Sequence, residues 1–287
     1  MTTTGKRTIG VIGLGLMGTA FSERLLEHGY NVIVQNRTRE KADRLVAQGA
    51  QWSDNPLVDC DRVIISLFTS EHVREVLQGL QGGLRPGQIL IDTTTGDPRQ
   101  TAALGEWLAA RGVQYLETPF SGSSQQTRDG EATALVAGPS DAYQACGAIF
   151  DVICKQSYYV GTWGDAARMK LVTNLVLGLN RAALAEGLAF ARAIGLDGTS
   201  SLEVLRNSAA YSKTMDNKGQ KMLDGDFSTQ AKVSQHLKDV RLILDLAADH
   251  NTALPLSTLH RELLERVESW GYGDEDNSAI FRIYDGE

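Results

Sequence analysis

Lys170 and Asn174 stand four residues apart inside "GDAARMKLVTNLVLGLNRAALAEGLAFARAIG", residues 164–195. Four residues make one helical turn, so the ammonium and the amide share a face. Most of their neighbours are apolar. A lysine among apolar groups is less stable in its charged form and releases its proton more readily, which suits proton transfer near neutral pH. A lysine that snorkels outward beside a satisfied asparagine has the same spacing, and the residue types leave both readings open. Two polar segments could complete a site, "IDTTTGDP" at 91–98 and "ETPFSGSS" at 117–124. Ser121, Gly122 and Ser123 supply hydroxyls and glycine-freed amides. That pattern suits a small carboxylate, and equally a polar turn after a strand.

A second spacing lies near the N-terminus, in "IGVIGLGLMGTAFSERLLEHGYNVIVQNRTREK", residues 9–41. Gly13, Gly15 and Gly18 form G-x-G-x-x-G between a β-branched run and a helical pattern, the context of a dinucleotide site. Gly13 permits a tight turn, Gly15 admits a pyrophosphate to the backbone, and Gly18 allows close helix–sheet packing. Leu14, Leu16 and Met17 complete the loop, and the helix start offers unpaired N–H groups to phosphate. About twenty residues on, such sites carry an acid for the ribose. This chain has Asn36, Arg37 and Thr38 there, with Lys41 one turn further. An amide, a guanidinium and a hydroxyl suit a 2′-phosphate, so the expected cofactor is NADPH (NADP+).

The elements that position these residues follow from periodicity. Strand patterns at 8–13, 31–35, 62–67, 88–92, 113–118, 132–138 and 156–161 alternate with helical patterns at 17–28, near 40–48, from about 72 and from Pro98. Such alternation predicts a Rossmann-like, mostly parallel sheet. From Gly164 the strand signal stops. A helix of about thirty residues, starting at Asp165 and ended by Gly195, leads into helices near 200–209, 231–250 and 255–269. Its apolar positions cover more than one stripe, which predicts burial between layers and association of subunits. The expected domains are a dinucleotide-binding domain, 1–163, and an all-helical substrate and oligomerisation domain, 164–287.

Of 287 residues, 42% are apolar and 22% charged, as in an ordinary soluble protein. A net charge of -7 argues against nucleic acid as a partner. No apolar run approaches the roughly 18 residues of a membrane span, and "MTTTGKRTIG" lacks the core of a leader, so the expected location is the cytoplasm. Cys60, Cys146 and Cys154 read as reduced thiols, and the five histidines (28, 72, 236, 250 and 260) show no metal-ligand spacing.

Four motifs in order, "GVIGLGLMG", "TPFSGS", "GDAARMKLVTNLVLG" and "HLKDVRL", resemble the β-hydroxyacid dehydrogenase family, which includes 3-hydroxyisobutyrate dehydrogenase and tartronate semialdehyde reductase. The likeness is greatest to its plant-type glyoxylate/succinic semialdehyde reductases, where "NRT" and "FDV…S-Y-Y-x-G" also occur. It spans nearly the whole chain. It implies a hydride transfer between NADPH and a small aldehyde acid, reversible as β-hydroxyacid oxidation; the association expected from the long helix would make a homodimer or homotetramer. The likeness makes Lys170 the general acid/base, Asn174 its substrate-binding neighbour and residues 121–123 the carboxylate holder. Thr95 and Lys238 would contact the cofactor, Asp239 would orient Lys170, and Leu67 and Phe68 would line the cofactor's path. Two positions depart from the family pattern: Ala231 stands where an aromatic residue is common, and Ser124-Gln125-Gln126 matches no single specificity. An oxidative 3-hydroxyisobutyrate-type dehydrogenase is the alternative. An imine reductase and a catalytically silent nucleotide-binding scaffold are the competing classes, and Lys170 counts against both.

Overall fold

The computed structural model describes residues 8–284, so most of the N-terminal stretch read for a leader lies outside the described residues. Nine strands form one sheet: β1 (Thr8–Ile12), β2 (Asn31–Gln35), β3 (Gln51–Trp52), β4 (Arg62–Ile65), β5 (Ile89–Asp92), β6 (Gln114–Glu117), β7 (Phe120–Ser121), β8 (Thr133–Ala137) and β9 (Gln156–Gly161). The order is β3-β2-β1-β4-β5-β6-β8-β7, with β9 on β8. The first six strands are parallel, in the doubly wound order that reverses between β1 and β4. Beyond β6 the pairing changes. β8 runs antiparallel to β6 and β7, and β9 runs parallel to β8. The two-residue strands β3 and β7 are too short to leave a period-2 signal, which is why the sequence shows seven strands.

The strands are apolar on both faces because helices cover both. Val32 and Val34 join one core cluster with Phe21, Leu25 and Leu116, while Ile33 between them joins another with Val63, Ile65 and Leu90. Alternation along the strand places successive side chains on opposite faces. The helix Pro98–Ala109 begins where Asp97 accepts from the backbone N–H groups of Arg99 (2.8 Å) and Gln100 (3.2 Å). Proline fits the first helical position because its missing N–H would have no partner there.

Two compact units divide at Lys170/Leu171, inside the helix Asp165–Ala193. Asp165–Lys170, the start of this long helix, therefore belongs with the sheet, and the rest with the helices. The second unit also contains Gly198–Arg206, Gln220–Asp224, Val233–Asp249 and Pro255–Val267. Its core gathers Leu184, Leu188, Leu202, Leu237, Val240 and Leu264. The expectation that the long helix is buried on more than one side is corrected within this chain: Val172, Val176, Phe190 and Ile194 are each more than half exposed. No helix among the described residues is long and apolar enough to cross a membrane. All three cysteines are buried and unpaired.

The segment before Val233–Asp249 is fixed by a buried ion pair. Lys218 Nζ lies 2.8 and 2.9 Å from the two carboxylate oxygens of fully buried Asp276. Asp276 also accepts from the backbone N–H groups of Gln230, Ala231 and Ser278. Removing one member of such a pair leaves the other charge buried without its counterion. Asp276→Ala should therefore destabilise the protein by roughly 3–5 kcal/mol in chemical denaturation. A loss below about 1 kcal/mol, the value of an exposed pair, would show that Lys218 is not dependent on it.

Candidate active site

The glycine loop lies where the strand order reverses. Gly13 has φ +93°, and a Cβ there would sit 2.3 Å from the carbonyl oxygen of Ser66, just past β4. A Cβ on Gly18 would sit 1.8 Å from the carbonyl oxygen of Gly13, so the close approach at Gly18 is to the loop itself. Around Gly15 there is open space for 4 Å. Gly15 is the N-cap of the helix Leu16–Glu27 and provides no side-chain cap. The first-turn N–H groups, which have no acceptor inside a helix, are thereby left for an anion. Among the named loop residues Leu14 is buried, Met17 half-buried and Leu16 exposed.

Asn36 has a role that the sequence did not reveal. Its Oδ1 accepts from Leu14 N at 3.0 Å, and its Nδ2 donates to Thr38 O at 2.9 Å. The amide thus braces the glycine loop against the end of β2. Arg37 and Thr38 are exposed beside it. Arg39, two residues on from Arg37, covers the Trp52 ring at 4.9 Å. After β4 and β5, Leu67 N donates to Thr94 Oγ1 at 3.2 Å, Phe68 is exposed and Thr95 is half-buried.

The segment 121–123, expected to hold a carboxylate, starts in β7. Ser121 is half-buried, and Gly122 has φ +152° with Ala132 packed 2.9 Å from where its Cβ would be. Ser123 caps the helix Ser124–Arg128. Its hydroxyl accepts from Gln126 N at 3.2 Å, while the Gln126 side chain accepts from Ser123 N at 2.9 Å. Ser121 and the exposed Gly122 are the open members of the trio.

Lys170 and Asn174 are both buried on one face of the long helix. Asn174 Nδ2 donates to Asp239 Oδ2 at 2.8 Å, and Lys238 Nζ stands 3.2 Å from Asp239 Oδ1. Asp239 thus holds the amide one turn along from Lys170. Gly178 and Arg181 continue the same face. His236 and His260 meet over Gly178, with ring centroids 5.2 Å apart. Burial, then the Arg181 charge, pushes the His260 imidazole down to about 3, so it is neutral at physiological pH. Nothing in chain spacing brings these two histidines together.

Glu117 is the other residue that sequence reasoning passed over. It is buried at the end of β6, and both of its oxygens accept from the start of the long helix. A lone glutamate after a strand carries no sign of its partner.

Residues 8–161 match the family model described as the NAD binding domain of 6-phosphogluconate dehydrogenase. Residues 164–284 match the one described as NAD-binding of NADP-dependent 3-hydroxyisobutyrate dehydrogenase. The chain is 33% identical over 284 residues to the cytokine-like nuclear factor N-PAC of Xenopus tropicalis, covering 97% of this chain and 52% of that protein. It is 32% identical over 282 residues to glyoxylate/succinic semialdehyde reductase 2, chloroplastic, of Arabidopsis thaliana, covering 96% and 79%. The chain thus spans about half the length of the N-PAC relatives it matches. Among solved structures it resembles Psf3 in complex with NADP+ and 2-OPP, with a TM-score of 0.88, 30% identity and coverage of 96% and 99%. The chain belongs to the β-hydroxyacid dehydrogenase family, in its 3-hydroxyisobutyrate dehydrogenase-like branch, and carries that family's NAD(P)-binding domain.

An exposed guanidinium at the end of β2, with no carboxylate beside it in Asn36-Arg37-Thr38, suits a 2′-phosphate. Arg37→Ala should raise the KM for NADPH by the equivalent of about 2 kcal/mol and leave that for NADH nearly unchanged. Equal effects on both cofactors would remove the assignment.

Proposed function

We propose that this chain is an NADPH-dependent reductase of small aldehyde acids, of the glyoxylate or succinic semialdehyde type. The supporting observation is Lys170, buried on the helical face that also holds Asn174, with Asn174 fixed by Asp239. When bound, the nicotinamide supplies the hydride that reduces the carbonyl carbon. Ser121 and the amide of Gly122 hold the substrate carboxylate, which fixes the direction of the carbonyl. Lys170 Nζ donates a proton to the carbonyl oxygen as that oxygen gains negative charge, and its ammonium stabilises the charge before transfer. Asn174, unable to turn away while Asp239 accepts from it, donates to the same substrate. Thr95 and Lys238 serve the cofactor. Run backwards, the same groups oxidise a β-hydroxyacid, and the family description of residues 164–284 supports 3-hydroxyisobutyrate as the alternative substrate.

The residues present fit this cofactor. Space at Gly15, uncapped N–H groups and Arg37 each match one part of it.

The chain also works as a homodimer or homotetramer in this reading. Val172, Val176, Phe190 and Ile194 leave an apolar stripe exposed, and a second copy is the partner that covers it. Sedimentation should show at least a dimer at micromolar concentration. A monomer of 31.1 kDa would end the assignment.

Lys170→Ala should reduce turnover of glyoxylate or succinic semialdehyde by roughly 10²- to 10⁴-fold. NADPH binding should stay nearly unchanged. Lys170→Arg should rescue little, because a guanidinium almost never releases a proton. A folded Lys170→Ala protein with near wild-type turnover would sink the mechanism, and a panel that adds 3-hydroxyisobutyrate and a cyclic imine separates the competing substrates.

A further inference from the structure

Glu117 is 1% exposed, and three donors converge on its carboxylate. Gly164 N donates to Oε2 at 2.6 Å, Ala167 N to Oε1 at 2.7 Å and Thr101 Oγ1 to Oε1 at 3.2 Å. The two backbone donors belong to the opening of the long helix, whose first N–H groups find no acceptor within the helix. A carboxylate there also meets the positive end of the helix dipole. Ser121 follows Glu117 by four residues, and Lys170 follows Ala167 by three, nearly one turn.

We propose that Glu117 is a positioning residue, which sets the Lys170 ammonium relative to Ser121 by gripping the helix start from the strand that leads into the substrate segment. The proposal rests on the roles given above to Lys170 and Ser121.

The grip depends on charge. An ionised carboxylate only accepts, whereas a protonated one must place an O–H among three donors. The titratable groups facing Glu117 are Asp92 from β5 and Tyr115 from β6. From the long helix, Asp165 and Arg168 pair with each other at 2.6 Å, and from Pro98–Ala109 the contact is the Thr101 hydroxyl. Burial pushes the Glu117 carboxyl up to about 7, against the pull of the three hydrogen bonds and with a further push from Asp92. Its folded value lies above the ordinary 4.5, so its contribution to stability is full below that value and is lost as pH rises through about 7. The ionised form is therefore the less stable one and, in this proposal, the catalytically competent one.

The test is glyoxylate reduction by the full chain with NADPH, from about pH 5 to about pH 9, alongside melting temperature over the same range. Wild-type kcat should fall on the acid side near pH 7. Glu117→Gln should lose that limb, lower kcat at pH 8 by about 10- to 100-fold through a misplaced Lys170, and keep its NADPH Kd. Its melting temperature should also lack the decline that wild type shows as pH rises to 7. Thr101→Val is the milder variant. It removes a bond that favours the ionised form, so the acid limb should move to higher pH. An acid limb unchanged in both variants would overturn the proposal, even with an altered melting profile, because Glu117 would then be a helix cap alone. If Lys170→Ala were fully active, the mechanism would fail separately, and the melting profiles would still show whether Glu117 titrates.

Discussion

A buried carboxylate at the start of a helix is the interaction on which the rest of the site depends. Glu117 accepts from Gly164 and Ala167, so the helix that carries Lys170 and Asn174 starts on the end of β6. The surrounding structure reinforces this join. Trp163, one residue before the helix's first bonded amide, donates from its indole to Tyr115 O at 2.8 Å, and its ring lies where a Cβ on Gly105 would be. Beside Glu117, fully buried Asp92 accepts from the Tyr115 hydroxyl at 2.7 Å and from Thr94 N at 2.9 Å. Burial raises the Asp92 carboxyl above its usual range, and the same strand exit that it braces presents Thr94 to Leu67 N. Two acids buried together resist ionisation, and backbone amides rather than cations stabilise their charge.

The cofactor end works through the opposite economy of groups, an absence of side chains where backbone must approach. Gly13 and Gly18 allow the loop to fold onto Ser66 and onto itself, and Gly15 leaves the helix start open. Asn36 stands where such loops carry an acid and braces the loop through Leu14 and Thr38, with Arg37 and Thr38 exposed beside it.

In the helical unit, buried polar groups follow the face of the long helix from Asn174 onward. Asp239, shared between Asn174 and Lys238, ties the long helix to Val233–Asp249, and Asp276, shared between Lys218 and three backbone amides, fixes the segment before Val233–Asp249 by charge-assisted bonds. Arg181 is almost fully buried, and burial pushes its guanidinium down to about 10 despite the Asp276 charge. Burial, and after it the Arg181 charge, keeps His260 neutral.

Much of this was legible in the chain. β-branched runs alternating with helical patterns give a mostly parallel sheet because helices then cover its strands on both faces. G-x-G-x-x-G gives the loop because at Gly13 and Gly18 only glycine has room. The long helix and the pairing of Lys170 with Asn174 follow from a period of 3.6. What the sequence could not decide depends on contacts between residues far apart in the chain. Asn36 meets Leu14 and Glu117 meets Gly164 only once β2 and β6 take their places in the sheet, since a single polar residue after a strand has no period to betray its partner. His236 and His260 meet for the same reason, through Gly178 on a third helix. The exposure of Val172 and Val176 is the converse case: hydropathy marks an apolar face, and only the tertiary structure shows that this chain leaves it uncovered.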